Sequence, residues 1–366
     1  MKLSILATGR DNNFNLIRFL AAFAVLYSHS YSIVLGMESN AEPFAGRIGY
    51  TLGGIAVDVF FITSGFLVTA SLLRLDSFKA FFRARALRIF PALLPMSILL
   101  ACILGPWFTT LSVRDYFSHA DVYKFIFKNA TILTGWKDKL PGVFENLPLK
   151  PAVNGSLWTL PFEMRCYMGV ALMWFVAAAF KSDRTARFAW MIAAFTVSML
   201  AGFWIAHSTG YRHWHTFRLL YMFFSGAMMY VLRDRIRMQH WIAGLLATSL
   251  CVFGVLLPAG FFWIYPPVVG YLILYCAYVP GGWLRQFNRL GDYSYGIYIY
   301  AFPVQQALVA SIPGISVPSL IAMAGLITLA LAMLSWHLVE KRALRLKSRG
   351  DAGGSRLAPE QPIVSL

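Results

Sequence analysis

The chain has 366 residues, of which 58% are hydrophobic and 13% charged, with a formal net charge of +16 and a mean hydropathy of +0.61. That composition is too apolar for a soluble globule of this length and describes a polytopic membrane protein. The positive charge is dispersed over many short segments, which excludes a nucleic-acid-binding surface. It fits a topological bias combined with attraction to anionic membrane lipid.

Apolar stretches of spanning length recur at about residues 14–36, 49–73, 90–112, 156–180, 187–207, 216–232, 240–257, 259–279, 292–311 and 316–337. The expected fold is an all-α, single-domain bundle of about ten transmembrane helices over residues 10–345. A disordered cytoplasmic tail is expected over 346–366, where SRGDAGGSRLAPEQP has little to bury. The first apolar stretch has no small-residue cleavage site and reads as a retained helix rather than a signal peptide. A cytoplasmic N-terminus puts most of the Lys and Arg inside, including the clusters Arg74 to Arg88, Lys181 to Arg187 and Arg233 to Arg237. The positive-inside rule therefore favours N-in and C-in, with one long outer loop at 113–155.

In chain order, the first helix carries Arg18 and His29, eleven residues apart. That is close to three turns, so both face one way at about 16 Å separation along the axis. Ionisable residues inside a membrane helix are costly and are functional candidates by default. The second helix runs inward and puts Asp58 in the outer half. The following basic segment sets Lys79, Arg83, Arg85 and Arg88 among Phe78, Phe81, Phe82, Leu87 and Phe90. It reads either as an interfacial face against lipid phosphates or as a site where guanidinium groups grip a phosphorylated ligand. No glycine-rich phosphate loop accompanies it.

The fourth helix carries Glu163, Arg165 and Tyr167 below Pro161, whose missing N–H frees a carbonyl. His29, Asp58 and Glu163 are expected at similar depth as one polar pocket, an imidazole beside a carboxylate being the usual form of a general base. Each also has a packing explanation, and Glu163 with Arg165 could form a local ion pair. His207, His213 and His215 have no acidic or cysteine partner to complete a metal site. Cys102, Cys166, Cys251 and Cys276 lie in spans and read as packing residues. Asn129 and Asn154 match the glycosylation pattern in the outer loop.

Together these residues resemble the acyltransferase 3 family of integral membrane acyltransferases over about residues 10–345. Arg18 and His29 match its first-helix pattern. Phe60-Phe61-Ile62-Thr63-Ser64-Gly65-Phe66, preceded by Asp58, matches its second-helix stretch. Arg88-Ile89-Phe90-Pro91 matches its basic segment, Ser156-Leu157-Trp158-Thr159-Leu160 with Glu163 its next signature, and Glu340-Lys341-Arg342 its ending. Two positions depart from the pattern. Ala301 stands where a second His is frequent, so that any such role is absent or taken by Tyr300, Gln305 or Gln306, and Arg165-Cys166 precede Tyr167 in place of Gln and Phe.

The resemblance implies an O-acyltransferase of the bacterial inner membrane. It would move an acyl group, usually acetyl, from cytoplasmic acyl-CoA to a sugar hydroxyl of a lipid-linked or exported polysaccharide. Arg83, Arg85 and Arg88 would hold the CoA phosphates, and the acyl arm would follow the Arg18 stripe toward His29. His29 would act as general base or as an acyl-carrying nucleophile, with Asp58 or Glu163 orienting it. No metal or resident cofactor is implied. The competing reading is a carrier or flippase without chemistry, in which internal inverted repeats are expected; none is visible here.

Overall fold

The computed structural model describes residues 1–9, 11–36, 41–132, 134–149, 151–179 and 183–351. Among them there is no β-strand, only isolated bridges between Lys2 and Arg237 and between Thr109 and Val143. The long helices are α1 (Phe14–Leu35), α2 (Leu52–Leu75), α3 (Phe78–Leu99, extended through Phe108), α4 (Ala120–Thr131), α5 (Leu160–Ala178), α6 (Arg184–Ser208), α7 (Trp214–Val231), α8 (His240–Val255), α9 (Pro258–Tyr278), α10 (Ser294–Ser311) and α11 (Val317–Ser335, extended to Asp351). Six of them, α1, α2, α3, α6, α9 and α11, are long and apolar enough to cross a membrane.

Local chemistry explains the boundaries. Thr51 caps α2 by accepting the Gly54 N–H at 2.9 Å, and Ser77 caps α3 by accepting the Ala80 N–H. The helix that starts at Ser77 runs unbroken past Pro91 and Pro95. A π-helical turn follows at Leu100–Leu104, a device that absorbs a disturbed hydrogen-bond ladder. The basic segment is therefore the first three turns of α3. The expected outer loop is also built. Its helix α4 buries Val122, Phe125 and Asn129, and Asn129 bonds the Lys137 backbone with both ends of its amide. Asn129 and Asn154 are both fully buried, so neither presents a glycosylation site in the folded chain. The tail expected to be disordered begins as helix to Asp351, and the rest of it lies outside the described residues.

Helix directions follow from contact pairs. Gly54 meets Arg218 and Gly65 meets Phe223, so α2 and α7 run parallel. Gly53 meets Ser28 and Phe60 lies by Arg18, so α1 is antiparallel to α2. His29 packs on Phe302 and Arg18 lies at Asp292, so α1 and α10 are parallel. The α2–α7 seam is the tightest in the bundle. A Cβ on Gly65 would sit 1.8 Å from the Phe223 carbonyl oxygen, and one on Gly226 would sit 2.0 Å from that of Ile62. Small residues at a membrane-helix interface permit this backbone approach and the dispersion contacts that come with it.

Gly65→Ala should force α2 and α7 apart. Overpacking of this kind costs about 1–3 kcal/mol or more. The purified variant in detergent should melt several degrees below the parent, and an unchanged melting temperature would contradict the seam described here.

Candidate active site

His29 lies in the last third of α1 and opens onto a cavity of about 300 Å3, whose other lining residues include Glu42, Trp158, His215 and Arg218. Its ring stands edge-on to Phe302 at 5.2 Å, and its Nδ1 is buried without a hydrogen-bond partner. The carboxylate that lines this cavity is Glu42. It accepts from Ser28 Oγ and from the Leu52 N–H, both at 2.7 Å, and so ties the top of α1 to the start of α2. Trp158 is presented by a 3-10 turn, Gly155–Thr159. The same segment holds Tyr298, whose hydroxyl meets Thr159 Oγ1 at 2.5 Å and donates to the Ser156 carbonyl at 2.6 Å.

Asp58 does not reach His29. It is fully buried and takes three bonds from Arg218, from Nε at 3.0 and 3.2 Å and from Nη2 at 2.7 Å. The Tyr265 hydroxyl adds a fourth at 3.0 Å. A guanidinium buried in an apolar bundle draws a carboxylate to itself more strongly than a neutral imidazole does. That is the reason the pocket expected around His29, Asp58 and Glu163 separates into parts.

Glu163 stands lower, where its Oε1 accepts from Ser64 Oγ at 2.7 Å and from the Tyr167 hydroxyl at 2.5 Å. Arg165 points elsewhere, exposed over the Phe162 ring, so the two form no ion pair. Arg18 approaches Asp292 at 4.0 Å and Phe60 at 5.8 Å, with its Nε unpartnered. The three arginines of α3 part company. Arg83 is exposed and donates to the Leu346 carbonyl. Arg88 is buried between Asp292 at 2.5 Å and Glu340 at 3.8 Å. Arg85 is buried, lines a small cavity with Arg18, Glu163 and Tyr167, and has no ion-pair partner within 4.0 Å among the described residues.

Three cavities follow one another along α1. The His29 cavity shares Val57 and Tyr298 with a second one. The second shares Arg18, Glu163 and Tyr295 with the Arg85 cavity. The two lower ones are narrow, about 40 and 30 Å3, room for about one water each. At the Ala301 departure, Gln305 donates to the Leu26 carbonyl and Ser30 Oγ, and Gln306 donates to the Leu149 and Ala152 carbonyls. Both amides tie loops and helices through their nitrogens, while both Oε1 atoms are buried without a hydrogen-bond partner.

Sequence reading missed Glu42, Arg218, His215 and Asp292 as members of these clusters. Arg218 had a signal, an arginine near the start of an apolar segment. Glu42 had none, because its importance depends on a loop folding back over α1. Of the three histidines near 207–215, His207 stacks on Phe262 at 3.9 Å and meets Trp214 edge-on at 5.1 Å, and His215 stacks on the same Trp214 at 3.6 Å.

Comparison with known proteins gives one family match, to a family described as an acyltransferase domain, acyltransferase 3, over residues 11–337. An O-acetyl transferase of Shigella phage Sf6 is 32% identical over 361 residues, covering 93% of this chain and 98% of the relative. Nodulation protein 10 of Rhizobium leguminosarum bv. viciae is 30% identical over 366 residues, covering 93% and 95%. No solved structure matches.

The geometry separates the arginines by stability. Arg88→Gln leaves Asp292 and Glu340 buried with less counter-charge, a loss of about 3–5 kcal/mol. Arg83→Gln removes one exposed contact and should cost under about 1 kcal/mol. Thermal melts of the two variants should differ clearly, and equal melts would contradict the buried cluster.

Proposed function

The chain belongs to the acyltransferase 3 family and is an acyltransferase, and on that footing we propose that it is a membrane O-acetyltransferase. It takes acetyl from cytoplasmic acetyl-CoA and passes it to a sugar hydroxyl of a lipid-linked or exported polysaccharide. The observation that carries this reading is the run of cavities along α1, with Arg85 at one end and His29 at the other. Arg85 is a buried guanidinium with no ion-pair partner within 4.0 Å among the described residues, suited to an anionic donor group. Arg83, exposed nearby, can add a phosphate contact, whereas Arg88 holds the site's shape through Asp292 and Glu340. Arg18 and Glu163 line the neck, where the acyl arm displaces the side chains as it enters.

At the far end His29 takes the proton of the acceptor hydroxyl as that oxygen attacks the thioester carbonyl. Acyl transfer through the His29 ring itself gives the same product by two steps. Trp158 supplies an aromatic face for a sugar ring, and Glu42 supplies an acceptor for its hydroxyls. Acetyl-CoA is a substrate, and the reaction needs no resident cofactor or metal. The phage relative, an O-acetyl transferase, supports acetyl as the group moved.

The proposed topology is ten spans, with both ends in the cytoplasm of a bacterial inner membrane. Helix directions support it: α2 and α7 are parallel and α1 is antiparallel to α2, as they are when every helix but α4 crosses in turn. The bacterial and phage sources of the relatives support the compartment.

His29→Ala should fold normally and release no CoA from acetyl-CoA in the presence of acceptor. Near-parental release would remove His29 from the chemistry, and movement of glycolipid without acetyl-CoA consumption would favour a carrier. For sidedness, in a background with the four cysteines replaced by Ser, a Cys at exposed Lys124 should react with an impermeant thiol reagent in intact cells. A Cys at exposed Lys79 should be protected. The reverse pattern would overturn the orientation.

A further inference from the structure

Arg218 is held as if for use. Its Nε and Nη2 are spent on Asp58 and on the Gly54 carbonyl, the latter at 2.9 Å, and its guanidinium sits 4.8 Å from the Tyr50 ring. Those contacts fix the plane of the group from three sides. Nη1 has no hydrogen-bond partner among the described residues. It lies 3.7 Å from where a Cβ on Gly54 would be, and Gly54 and Arg218 both line the cavity that His29 lines. A guanidinium clamped through Nε and Nη2 on a residue that lines the cavity, with Nη1 left free to donate, is a preorganised donor.

The geometry points to Arg218 as the catalytic residue that stabilises the oxyanion of acyl transfer, with Asp58 as its positioning residue. The proposal rests on the acyltransferase reading of the same cavity. The acceptor oxygen bonds to the thioester carbon, the carbonyl electron pair moves onto oxygen, and Arg218 Nη1 donates a hydrogen bond to that oxygen. His29 takes the hydroxyl proton. When the carbonyl reforms, the C–S bond breaks and the sulfur leaves as thiolate, which takes up the proton that His29 gives back. No other reactant is required. A permanently anionic ligand fits this place less well, because Asp58 already neutralises Arg218 and the Glu42 carboxylate lines the same cavity. A carbonyl oxygen enters neutral, and as it gains charge in the reaction the hydrogen bond that Nη1 can donate to it strengthens. The Gly53–Gly54 pair belongs to the same device, since a Cβ on Gly53 would collide with Ser28 and one on Gly54 would crowd the guanidinium.

The test uses full-length protein in liposomes carrying glycolipid extracted from its host envelope, with acetyl-CoA as donor and released CoA thiol as readout. Arg218→Lys keeps a positive charge beside Asp58 but loses the unpartnered Nη1. It should lower kcat about 100- to 1000-fold, as loss of an oxyanion donor does, with KM for acetyl-CoA and the melting temperature little changed. A parental kcat would overturn the proposal while leaving the acyltransferase reading intact. No CoA release by the parent protein would overturn both. If Arg218→Lys melts early, the double variant Asp58→Leu, Arg218→Met decides, because replacing a buried ion pair by apolar groups frequently preserves folding. Restored melting without activity supports the catalytic role. Restored melting with restored activity makes the pair purely structural and overturns it.

Discussion

A charge buried among apolar helices has no water to solvate it, so each one here is either matched by protein or turned toward a cavity. The Asp58–Arg218 pair is the clearest case, bridging α2 and α7 with Asp58 fully buried. It depends on the glycine seam below it: with Cβ atoms at Gly65 and Gly226 the two backbones could not come within reach. Arg88 with Asp292 and Glu340 does the same work at the opposite end, joining α3, the start of α10 and the end of α11. Between these neutralised clusters lie the groups left uncommitted, Arg85, the Arg18 Nε, the His29 Nδ1 and the Arg218 Nη1. They line the cavities along α1 or stand beside them. The packing requirement and the proposed chemistry thus select the same arrangement, in which structural charges are paired and the remainder face one path.

The bundle itself was legible in the sequence, because apolar length is a direct consequence of bilayer thickness. Each of the ten apolar stretches contains a long helix, although only six helices satisfy both length and hydropathy. The first helix was legible in detail, since spacing along one helix fixes which residues share a face. Arg18 and His29 do line successive cavities. Relations between helices were not legible. Depth alone grouped Asp58 and Glu163 with His29, whereas rotation about the helix axis turns Asp58 to α7 and Glu163 to Ser64 of α2. The basic start of α3 suits the interface in composition, and the Ser77 cap with the tolerated Pro91 and Pro95 makes it one helix with the span that follows.

The family signatures acquire separate physical meanings. The Ser156–Leu160 stretch forms the turn that presents Trp158 and anchors Tyr298. Arg88 and Glu340, far apart in the chain, are one buried pair. Asp58 serves α2 and α7 through Arg218, outside the reach of the imidazole. The signatures thus divide between residues that hold the helices together and residues that line the cavities along α1, a division of labour that the motifs alone do not express.

The central claim is that one path along α1 receives the donor from the Arg85 end and delivers its acyl group to His29. It is tested most directly by determining the structure with a non-cleavable thioether analogue of acetyl-CoA bound. The account predicts phosphate density against Arg83 and Arg85, the pantetheine arm passing Arg18 and Glu163, and the acyl end in the cavity between His29 and Arg218. An analogue seated elsewhere, such as the broad cleft lined by Met1, His240 and Arg285, with the α1 cavities unchanged, would contradict it.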